Sequence, residues 1–429
     1  MGTVIETLSQ TESVCAVCLR TLPAVIEARG REVWMTKSCP EHGPAETCLW
    51  PDIDHYRWMN DLRLPFVAPR RPVPALKGCP ADCGLCASHL RQPTLVEIEV
   101  TERCNLRCPV CFMSAEDYRA RRAPDPTLED LRELFEEILR RTSPQTAVQV
   151  TGGEPTFRAD LPEIIRLGRA VGLEYLEVNT NGVELSRDPA YALALKAAGA
   201  SGVYLQFDGL TDDVYRRTRG LDLAETKNRA IEHCRRAGLQ VVLAMTIIDG
   251  VNETQIGDVL RFALAHRDVV AGIAYQPAFG SGRFEATKGR RLTMGHVIYL
   301  LAEQSGGLLT PYDVWPLGCS HPLCSSSVYL MEMNGVLQPL TRLITPRDYL
   351  ERFDPDSPQG SVLADIAFNC FPEAEVGMAI VVMNYMDADN LDLRKARECG
   401  MTVMSREGRI VPFCHYQLTN RDGRRRSEL

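Results

Sequence analysis

The sequence predicts an α/β fold with a parallel sheet, because strand-like and helix-like segments alternate through its central half. Six apolar strand-like runs recur, at 94–101, 146–151, 174–179, 202–207, 240–246 and 271–276. Amphipathic stretches with helical periodicity separate them, at 127–141, 160–171, 188–198, 211–217 with 223–237, and 253–266. Strands that alternate with helices of this length form βαβ units, in which helices cover a parallel sheet.

Helix-start signals support the first two of these helices. Thr127 is followed by Glu129, and Asp160 is followed by Glu163. A capping side chain binds free N–H groups of the first turn, and acidic residues there offset the helix dipole. We therefore expect the helices to begin at these positions.

Overall composition is that of a globular protein, with 45% hydrophobic and 24% charged residues. The net charge of −8 gives no electrostatic reason to expect nucleic acid or an anionic membrane as a partner. No apolar run reaches the 18 residues that a transmembrane helix needs.

Cysteine usage separates a catalytic scaffold from metal-bearing flanks. Of 16 cysteines, only Cys234 lies within residues 112–318. The first residues lack the basic and apolar regions of a signal peptide, so the cysteines indicate metals rather than disulfides. We expect a cytoplasmic protein.

The first fifty residues are predicted to form a mononuclear metal unit. A Cys15-x2-Cys18 pair is followed by Cys39-x2-His42. This spacing is typical of zinc ribbons and rubredoxin knuckles. It predicts zinc or iron on the three cysteines, with His42 or Cys48 as fourth ligand, and the spacing favours His42.

Two cysteine triplets share the spacing C-x3-C-x2-C. The first, Cys79, Cys83 and Cys86, follows a proline-rich connector. The second, Cys104, Cys108 and Cys111, directly follows the first strand-like run. Three thiolates can hold three irons of a [4Fe–4S] cube and leave the fourth iron open for a ligand. Only the second triplet follows a strand, so we assign the first to an auxiliary cluster.

A glycine pair ends the second strand-like run, where Gly152 and Gly153 precede Glu154. Glycines let a backbone approach a ligand closely, and a carboxylate suits an ammonium group. The motif begins 41 residues after Cys111, at the next strand end, which makes it more informative than an isolated Gly-Gly-Glu.

The last 120 residues carry four more candidate ligands. They form two pairs, Cys319 with Cys324 and Cys399 with Cys414. Four thiolates are the number that a closed [4Fe–4S] cube needs. Cys370 lies between the pairs and is either the fourth ligand of the first triplet or inert.

These modules together resemble the radical S-adenosylmethionine superfamily, in the branch of tetraether lipid synthase and the class D radical methylases. The resemblance covers residues 12–418, because four cysteine modules recur in order. It implies a partial (β/α)6 barrel similar to a TIM barrel, whose active site lies at the C-terminal strand ends. The implied units are a metal knuckle (1–50), a connector with the auxiliary triplet (51–93), the barrel (94–309) and a C-terminal auxiliary-cluster domain (310–429).

The resemblance also implies cofactors and a binding site. It implies three [4Fe–4S] clusters, one of them catalytic on Cys104, Cys108 and Cys111, S-adenosylmethionine, and one mononuclear metal. Further residues expected at the cofactor are Phe112, Gly152, Gly153, Glu154, Asn179, Asn181, Gln206, Asp208, Arg219, Met245 and Gln276. Val110 departs from the family pattern, in which an aromatic residue precedes the last cluster cysteine.

The implied activity is functionalisation of an unactivated carbon through a 5′-deoxyadenosyl radical, either by carbon–carbon coupling or by methylation. The resemblance further implies a small-molecule or lipid substrate, and an electron donor of the flavodoxin or ferredoxin type. Two alternatives remain open: a radical dehydrogenase or maturase that uses auxiliary clusters, and a non-catalytic electron carrier. The Gly152–Glu154 motif argues against the carrier, which needs no S-adenosylmethionine site.

Overall fold

Four antiparallel strands form the N-terminal sheet of the computed structural model, which describes residues 5–76, 78–81, 83–115, 124–284, 289–353, 363, 366–367, 370–371 and 375–425. The strands follow one another in sheet order and are β1 (Ile5–Val14), β2 (Thr21–Arg29), β3 (Glu32–Cys39) and β4 (Gly43–Trp50). Alternate side chains of β2 and β3 are buried, as expected for a sheet with one covered face. Helix α1 (Ile53–Asp61) follows, capped by the Asp52 side chain.

Six parallel strands form the centre of a second sheet, as the alternating pattern predicts. In chain order they are β5 (Leu95–Thr101), β7 (Ala147–Gly152), β8 (Leu176–Thr180), β9 (Gly202–Gln206), β10 (Val241–Ile247) and β11 (Val270–Pro277). The two-residue strand β6 (Val110–Cys111) stands apart and pairs with β12 (Arg283–Phe284). The predicted parallel α/β sheet is therefore confirmed.

Helices cover one face of this sheet. They are α2 (Leu128–Arg141), α3 (Leu161–Val171), α4 (Val183–Arg187), α5 (Pro189–Ala198), α6 (Asp212–Arg219), α7 (Ala224–Ala237), α8 (Ile256–Ala265) and α9 (Met294–Gln304). Thr127 caps α2 as expected, and its hydroxyl accepts a hydrogen bond from the Asp130 backbone N–H. The Asp160 side chain does not cap α3; it pairs with the Arg158 guanidinium at 2.6 Å instead.

The remaining elements follow residue 310. They are β13 (Trp315–Pro316), β14 (Ser325–Met333), β15 (Val336–Pro339), α10 (Pro346–Arg352), β16 (Glu375–Met383), α11 (Leu393–Ala396), β17 (Met401–Met404), β18 (Ile410–Pro412) and α12 (Phe413–Tyr416). These strands extend the parallel sheet at both edges: β16 pairs with β11, and β17 pairs with β5. Among the described residues the resulting twelve-stranded sheet stays open, with β13 and β18 at its ends.

The two faces of the large sheet differ in chemistry. On β5, Val96, Ile98 and Val100 are fully buried in the core shared with the helices. Glu97 and Glu99 alternate with them and lie on the opposite, inner face. The same alternation places polar side chains from neighbouring strands on the inner face, which is where a ligand can bind.

None of the helices described here is both long and apolar enough to cross a membrane.

Candidate active site

Four metal-ligand atoms converge in the N-terminal sheet. The ligand atoms of Cys15, Cys18, Cys39 and His42 all lie within 4.8 Å of one another. His42 Nδ1 is 3.6 Å from Cys15 Sγ and 3.4 Å from Cys39 Sγ, and its hydrogen bond lowers the pKa of Cys39 to about 6. Three sulfurs and one imidazole nitrogen suit zinc. Cys48, the other predicted fourth ligand, donates its thiol to a backbone carbonyl 3.6 Å away.

The loop between β5 and β6 carries the second cysteine triplet. Cys104 and Cys108 pack against a small apolar cluster of Leu106, Tyr215 and Leu223. Burial raises the pKa of both thiols, and the charges of the other triplet members raise it further. The three sulfurs therefore lie within electrostatic reach of one another. Such thiols ionise when a metal ion displaces their protons.

The glycine pair at the end of β7 allows two backbone segments to touch. A Cβ at Gly152 would lie 2.1 Å from the Thr101 carbonyl oxygen, and one at Gly153 would lie 2.1 Å from the Arg103 carbonyl oxygen. The Gly153 N–H donates to the first of these oxygens at 2.8 Å. The sequence predicts close approach to a ligand, whereas in the structure the close neighbour is the cysteine loop itself. The glycines thus fix that loop against β7.

The Glu154 carboxylate links the ends of β7 and β8. It is 1% exposed, and burial raises its pKa. Its Oε1 accepts hydrogen bonds from the Thr156 hydroxyl at 2.5 Å and the Thr180 hydroxyl at 2.7 Å. Its Oε2 accepts one hydrogen bond, from the Asn181 backbone N–H at 2.7 Å, and can accept another. The Asn181 side chain also donates to Asn105 Oδ1 in the cysteine loop at 2.7 Å.

Asp208 and Arg219 form a buried bidentate ion pair at the end of β9. Arg219 Nε is 2.5 Å from Asp208 Oδ2, and Nη2 is 2.9 Å from Oδ1. Coulombic attraction lowers the pKa of the Asp208 carboxyl despite the opposing effect of burial. Arg219 Nη1 also donates to the Val110 carbonyl oxygen at 3.0 Å, and the charge of Arg219 opposes the burial that raises the pKa of Cys108. The Arg219 guanidinium, expected at the cofactor, is thus engaged with Asp208 and the cysteine loop.

Lys227 is a site residue that the sequence analysis missed. It lies on α7 with no exposed surface, and its Nζ donates to the Asn181 carbonyl oxygen at 2.6 Å and to Gln206 Oε1 at 2.7 Å. Gln206 in turn donates to Asp208. Burial lowers the pKa of Lys227 to about 7. Its neighbours in the sequence are those of an ordinary lysine on a helix surface, and they give no signal that strand ends will bury it.

Three other predicted residues occupy different surroundings. Asn179 Oδ1 is buried and accepts no hydrogen bond from the described residues, while its Nδ2 donates to Gln149 at 3.1 Å. Gln276 donates to the Tyr204 hydroxyl at 2.6 Å on the inner face. The expectation that the Met245 side chain lies at the cofactor needs correction, since this side chain is fully buried in the helix-facing core. The next residue along the strand, Thr246, contacts the ion pair instead: its hydroxyl accepts a hydrogen bond from Arg219 Nη2 at 3.3 Å, and its backbone N–H donates to Asp208 Oδ1 at 3.2 Å.

The cysteines of the first triplet, Cys79, Cys83 and Cys86, also lie close to one another. Cys83 hydrogen-bonds Cys79, and this contact, burial and the nearby charges of Cys79 and Cys86 raise the Cys83 pKa. Cys79 packs in an apolar cluster that also contains Cys414. Cys370 packs in a different apolar cluster, and its Sγ accepts from Arg352 Nη1 at 2.9 Å.

The C-terminal cysteines meet although almost one hundred residues separate them. Cys324, Cys399 and Cys414 line one cavity, together with Lys395. The Cys319 thiol bonds with the Ser325 hydroxyl at 3.1 Å, and its charge contributes to the raised pKa of Cys399. The structure therefore brings all four predicted ligands to one region.

Four aromatic rings lie between the cysteine groups, and we call Phe112, Phe279, Tyr385 and Phe413 the aromatic cluster. Phe112 stacks on Phe279 with centroids 5.8 Å apart, and Tyr385 lies 4.4 Å from Phe413. Phe112 directly follows Cys111, and Phe413 directly precedes Cys414. The rings thus bridge the regions of the second triplet and the C-terminal cysteines.

Comparison with known proteins agrees with these geometries. A family model described as "Radical SAM superfamily" matches residues 98–263, and one described as "HMPTM N-terminal zinc ribbon domain" matches residues 7–51. The 7,8-dihydro-6-hydroxymethylpterin dimethyltransferase of Methanocaldococcus jannaschii is 31% identical over 96% of this chain and 94% of its own length. A GTP 3′,8-cyclase of Erythrobacter litoralis is 33% identical over 40% of this chain and 51% of its own length.

Among solved structures, Streptococcus suis SuiB bound to precursor peptide SuiA is similar at 11% identity and a TM-score of 0.45. That likeness covers 76% of this chain and 61% of SuiB, and it carries no information on substrate.

The fold and the loop on β5 define a radical S-adenosylmethionine enzyme of the transferase class. The chain belongs to the family of the M. jannaschii dimethyltransferase, which it matches along nearly its whole length.

The residues present fit the cofactors of this superfamily, a [4Fe–4S] cluster and S-adenosylmethionine. Cys104, Cys108 and Cys111 supply three thiolates, which leaves one iron position free. The unpaired Asn179 Oδ1 can accept a hydrogen bond from a ribose hydroxyl, and Glu154 Oε2 can accept one from an ammonium group. The N-terminal zinc ribbon adds a separate metal site.

Proposed function

We propose that this enzyme transfers a one-carbon unit to a carbon atom of a dihydropterin. The proposal is supported by the M. jannaschii dimethyltransferase, whose name specifies 7,8-dihydro-6-hydroxymethylpterin, because the likeness extends through 96% of this chain. A relative that matched only the central domain would support the radical chemistry and leave the substrate undetermined.

One structural observation favours a polar heterocycle over a lipid. The inner face of the sheet presents carboxylate, amide and phenol groups beside the cysteine loop. These residues are Glu97, Glu99, Gln149, Glu177, Asn179, Tyr204 and Gln276. Polar groups that lose water without gaining a partner are costly, so an acyl chain on this face would be disfavoured. A flat ring with several N–H and C=O groups can satisfy them.

When bound, the cluster and S-adenosylmethionine supply a 5′-deoxyadenosyl radical that abstracts hydrogen from an unactivated carbon. The chain's own residues position and shield this chemistry. Glu154 Oε2 and Asn179 Oδ1 present acceptors to the cofactor, and Asn181 holds Glu154 and the cysteine loop in place. The Asp208–Arg219 pair fixes the cysteine loop against β9. Phe112 and its ring neighbours exclude water on the side facing the C-terminal cysteines.

We propose two auxiliary [4Fe–4S] clusters beside the catalytic one, which brings the total to three. Cys79, Cys83 and Cys86 would hold the first, and Cys319, Cys324, Cys399 and Cys414 the second. Two observations support this proposal: the cysteines of each set lie close together, and both sets contact the aromatic cluster. We assign zinc to the N-terminal knuckle, and a low-potential donor of the flavodoxin or ferredoxin type as the electron source.

The test is an anaerobic assay of the reconstituted enzyme with S-adenosylmethionine, dithionite and 6-hydroxymethyl-7,8-dihydropterin. We expect 5′-deoxyadenosine and a pterin heavier by 14 mass units per methyl group, both detected by mass spectrometry, once a one-carbon donor such as a reduced folate or methanopterin is supplied. Formation of 5′-deoxyadenosine without any change in the pterin would contradict the proposed substrate.

Three cysteine variants assign the clusters. Cys108→Ala should lose about four irons and all 5′-deoxyadenosine formation, because the catalytic cluster loses a ligand. Cys324→Ala should lose a different cluster and retain some abortive formation of 5′-deoxyadenosine. Cys234→Ala is the matched control, since Cys234 is buried in the core on α7 and should keep full iron content. Residual cofactor cleavage by Cys108→Ala would refute the assignment of the catalytic cluster.

A further inference from the structure

Three glutamates lie on the inner face of the sheet, and they differ in how their carboxylates are satisfied. Glu99 accepts hydrogen bonds from the Tyr416 hydroxyl at 3.1 Å and from Gln417 Nε2 at 3.3 Å. Glu177 accepts one from Gln149 Nε2 at 2.9 Å. Glu97 is only 6% exposed, yet within the described chain no donor and no cation reaches its carboxylate. Buried carboxylates without partners are costly, so Glu97 is a group that lacks its partner in the free protein.

The surroundings of Glu97 are polar and aromatic. Tyr204 on β9 and Gln276 on β11 join across the intervening strand at 2.6 Å, which shows that the inner face is concave there. The hydroxyl of Tyr385 lies close enough to Tyr204 and Glu97 that their charges add to the effect of burial in raising its pKa. Tyr385 also belongs to the aromatic cluster, with its ring 5.3 Å from that of Phe279. Glu97 therefore lies beside rings that retain some exposed surface.

We propose that Glu97 binds the pyrimidine edge of the pterin ring, accepting hydrogen bonds from its 2-amino group and its adjacent ring N–H, while the aromatic cluster packs against the ring. The inference rests on the proposed function, because it names the residue that recognises the substrate of that site. Two parallel N–H donors match the two oxygens of an ionised carboxylate, and such bidentate pairs are both strong and specific. The bound ring therefore stabilises the ionised form of Glu97, which burial alone disfavours. Planar rings gain further free energy from offset stacking on aromatic side chains.

A metal cation is a poorer occupant of the same place. Hard cations such as Mg²⁺ and Ca²⁺ take six or more oxygen ligands. Around Glu97, the oxygens of Glu99 and one oxygen of Glu177 already accept hydrogen bonds from side chains. A ligand with two N–H donors needs only the Glu97 carboxylate.

The test compares two probes on the reconstituted enzyme. 6-Hydroxymethyl-7,8-dihydropterin carries the 2-amino group, and 6-hydroxymethyl-7,8-dihydrolumazine carries a carbonyl oxygen in its place. We expect the wild-type enzyme to bind the pterin more tightly than the lumazine, because a ligand without the 2-amino donor leaves the buried carboxylate of Glu97 without a partner. Glu97→Gln should weaken pterin binding by roughly 10- to 100-fold. Lumazine binding should change little, so the preference should largely disappear.

Glu99→Gln is the matched control, because Glu99 lies two residues away on the same face and already has protein partners. It should keep the preference for the pterin. Equal preference in Glu97→Gln and wild type, with wild-type binding intact, would overturn this inference and leave the proposed function standing. If the wild-type enzyme binds neither probe and still forms 5′-deoxyadenosine, the proposed substrate fails and this inference fails with it.

Discussion

Burial of the Glu97 carboxyl group should make the stability of the protein depend on pH. Burial raises its pKa to about 8, with a smaller contribution from the charge of Glu99. The titratable groups that face it from other strands are Tyr204 and Tyr385, which stay neutral in this range. Because the folded protein holds the Glu97 proton more tightly than the unfolded chain does, stability falls as pH rises from about 4.5 to about 8.

Glu97→Gln should therefore stabilise the pterin-free protein at high pH and leave it unchanged at low pH. We expect the free-energy difference from wild type to be near zero at pH 4.5, to grow by at most about 1.4 kcal/mol per pH unit, and to level off above pH 8. Denaturant midpoints at several pH values measure it. Glu133→Gln, on the exposed surface of α2, serves as control and should show no such slope. A pH-independent difference for Glu97→Gln would refute the prediction.

For single residues, the sequence predicted the cysteine groups better than it predicted the side chains that hold the site in place. Cysteine spacing predicted the four ligand atoms that converge in the N-terminal sheet, and it predicted both triplets as cluster ligands, since metal geometry requires local spacing. It failed for Met245, because a strand position alone does not show which face a side chain takes until the register is known. It also failed for Lys227, whose burial depends on strand ends far away in sequence.

The end of β7 is the element whose geometry controls the cysteine loop. Gly153→Ala would place a Cβ 2.1 Å from the Arg103 carbonyl oxygen, so the loop must move. We expect 5′-deoxyadenosine formation to fall by roughly 100-fold, because a displacement of about 1 Å can have that effect. Iron content and the electron paramagnetic resonance signal of the reduced cluster measure whether the displaced loop still holds its cluster.

Gly202→Ala on β9 provides a milder comparison. Its Cβ would lie 3.3 Å from the Gln240 carbonyl oxygen, a contact that a small shift relieves. That variant should keep its cluster signal and most of its activity. Loss of activity in both variants to the same extent would show that general strain, rather than the loop contact, is responsible.

Elements of the central sheet were predictable because each follows from a local pattern. Six strands and their helices match the apolar periodicity, and Thr127 caps α2 as its position suggests. The C-terminal strands were harder, since β17 pairs with β5 although about three hundred residues separate them. No local signal specifies such a partner.

Across the whole molecule, the zinc knuckle is tied to the segment that carries the last cysteines. Lys37 on β3 is buried, and its Nζ donates to the Ala388 and Asp389 carbonyl oxygens at 2.7 and 2.8 Å. The Arg421 backbone N–H donates to the Ala16 carbonyl oxygen at 2.9 Å, inside the knuckle. The metal site therefore supports the region around Cys399 and Cys414.

Removing the knuckle metal should consequently affect more than the N-terminal sheet. Cys39→Ser should lose zinc, lower the melting temperature by about 5 °C or more, and speed the loss of iron from the C-terminal cysteines to a chelator. Cys48→Ser, outside the ligand set, should keep its zinc and its iron. Unaltered iron release in a zinc-free Cys39→Ser protein would show that the two regions are independent.

The pairing of β17 with β5 also sets the order of events during biosynthesis. The second cysteine triplet leaves the ribosome long before Met401–Met404 can cover the edge of the sheet next to it. Contacts between such distant segments form late, and unpaired strand edges invite aggregation in the meantime. The β5 edge is thus open for an interval in which the cysteines of the second triplet have already been made. Chains that remain incompletely folded during this interval would depend on chaperones to avoid aggregation.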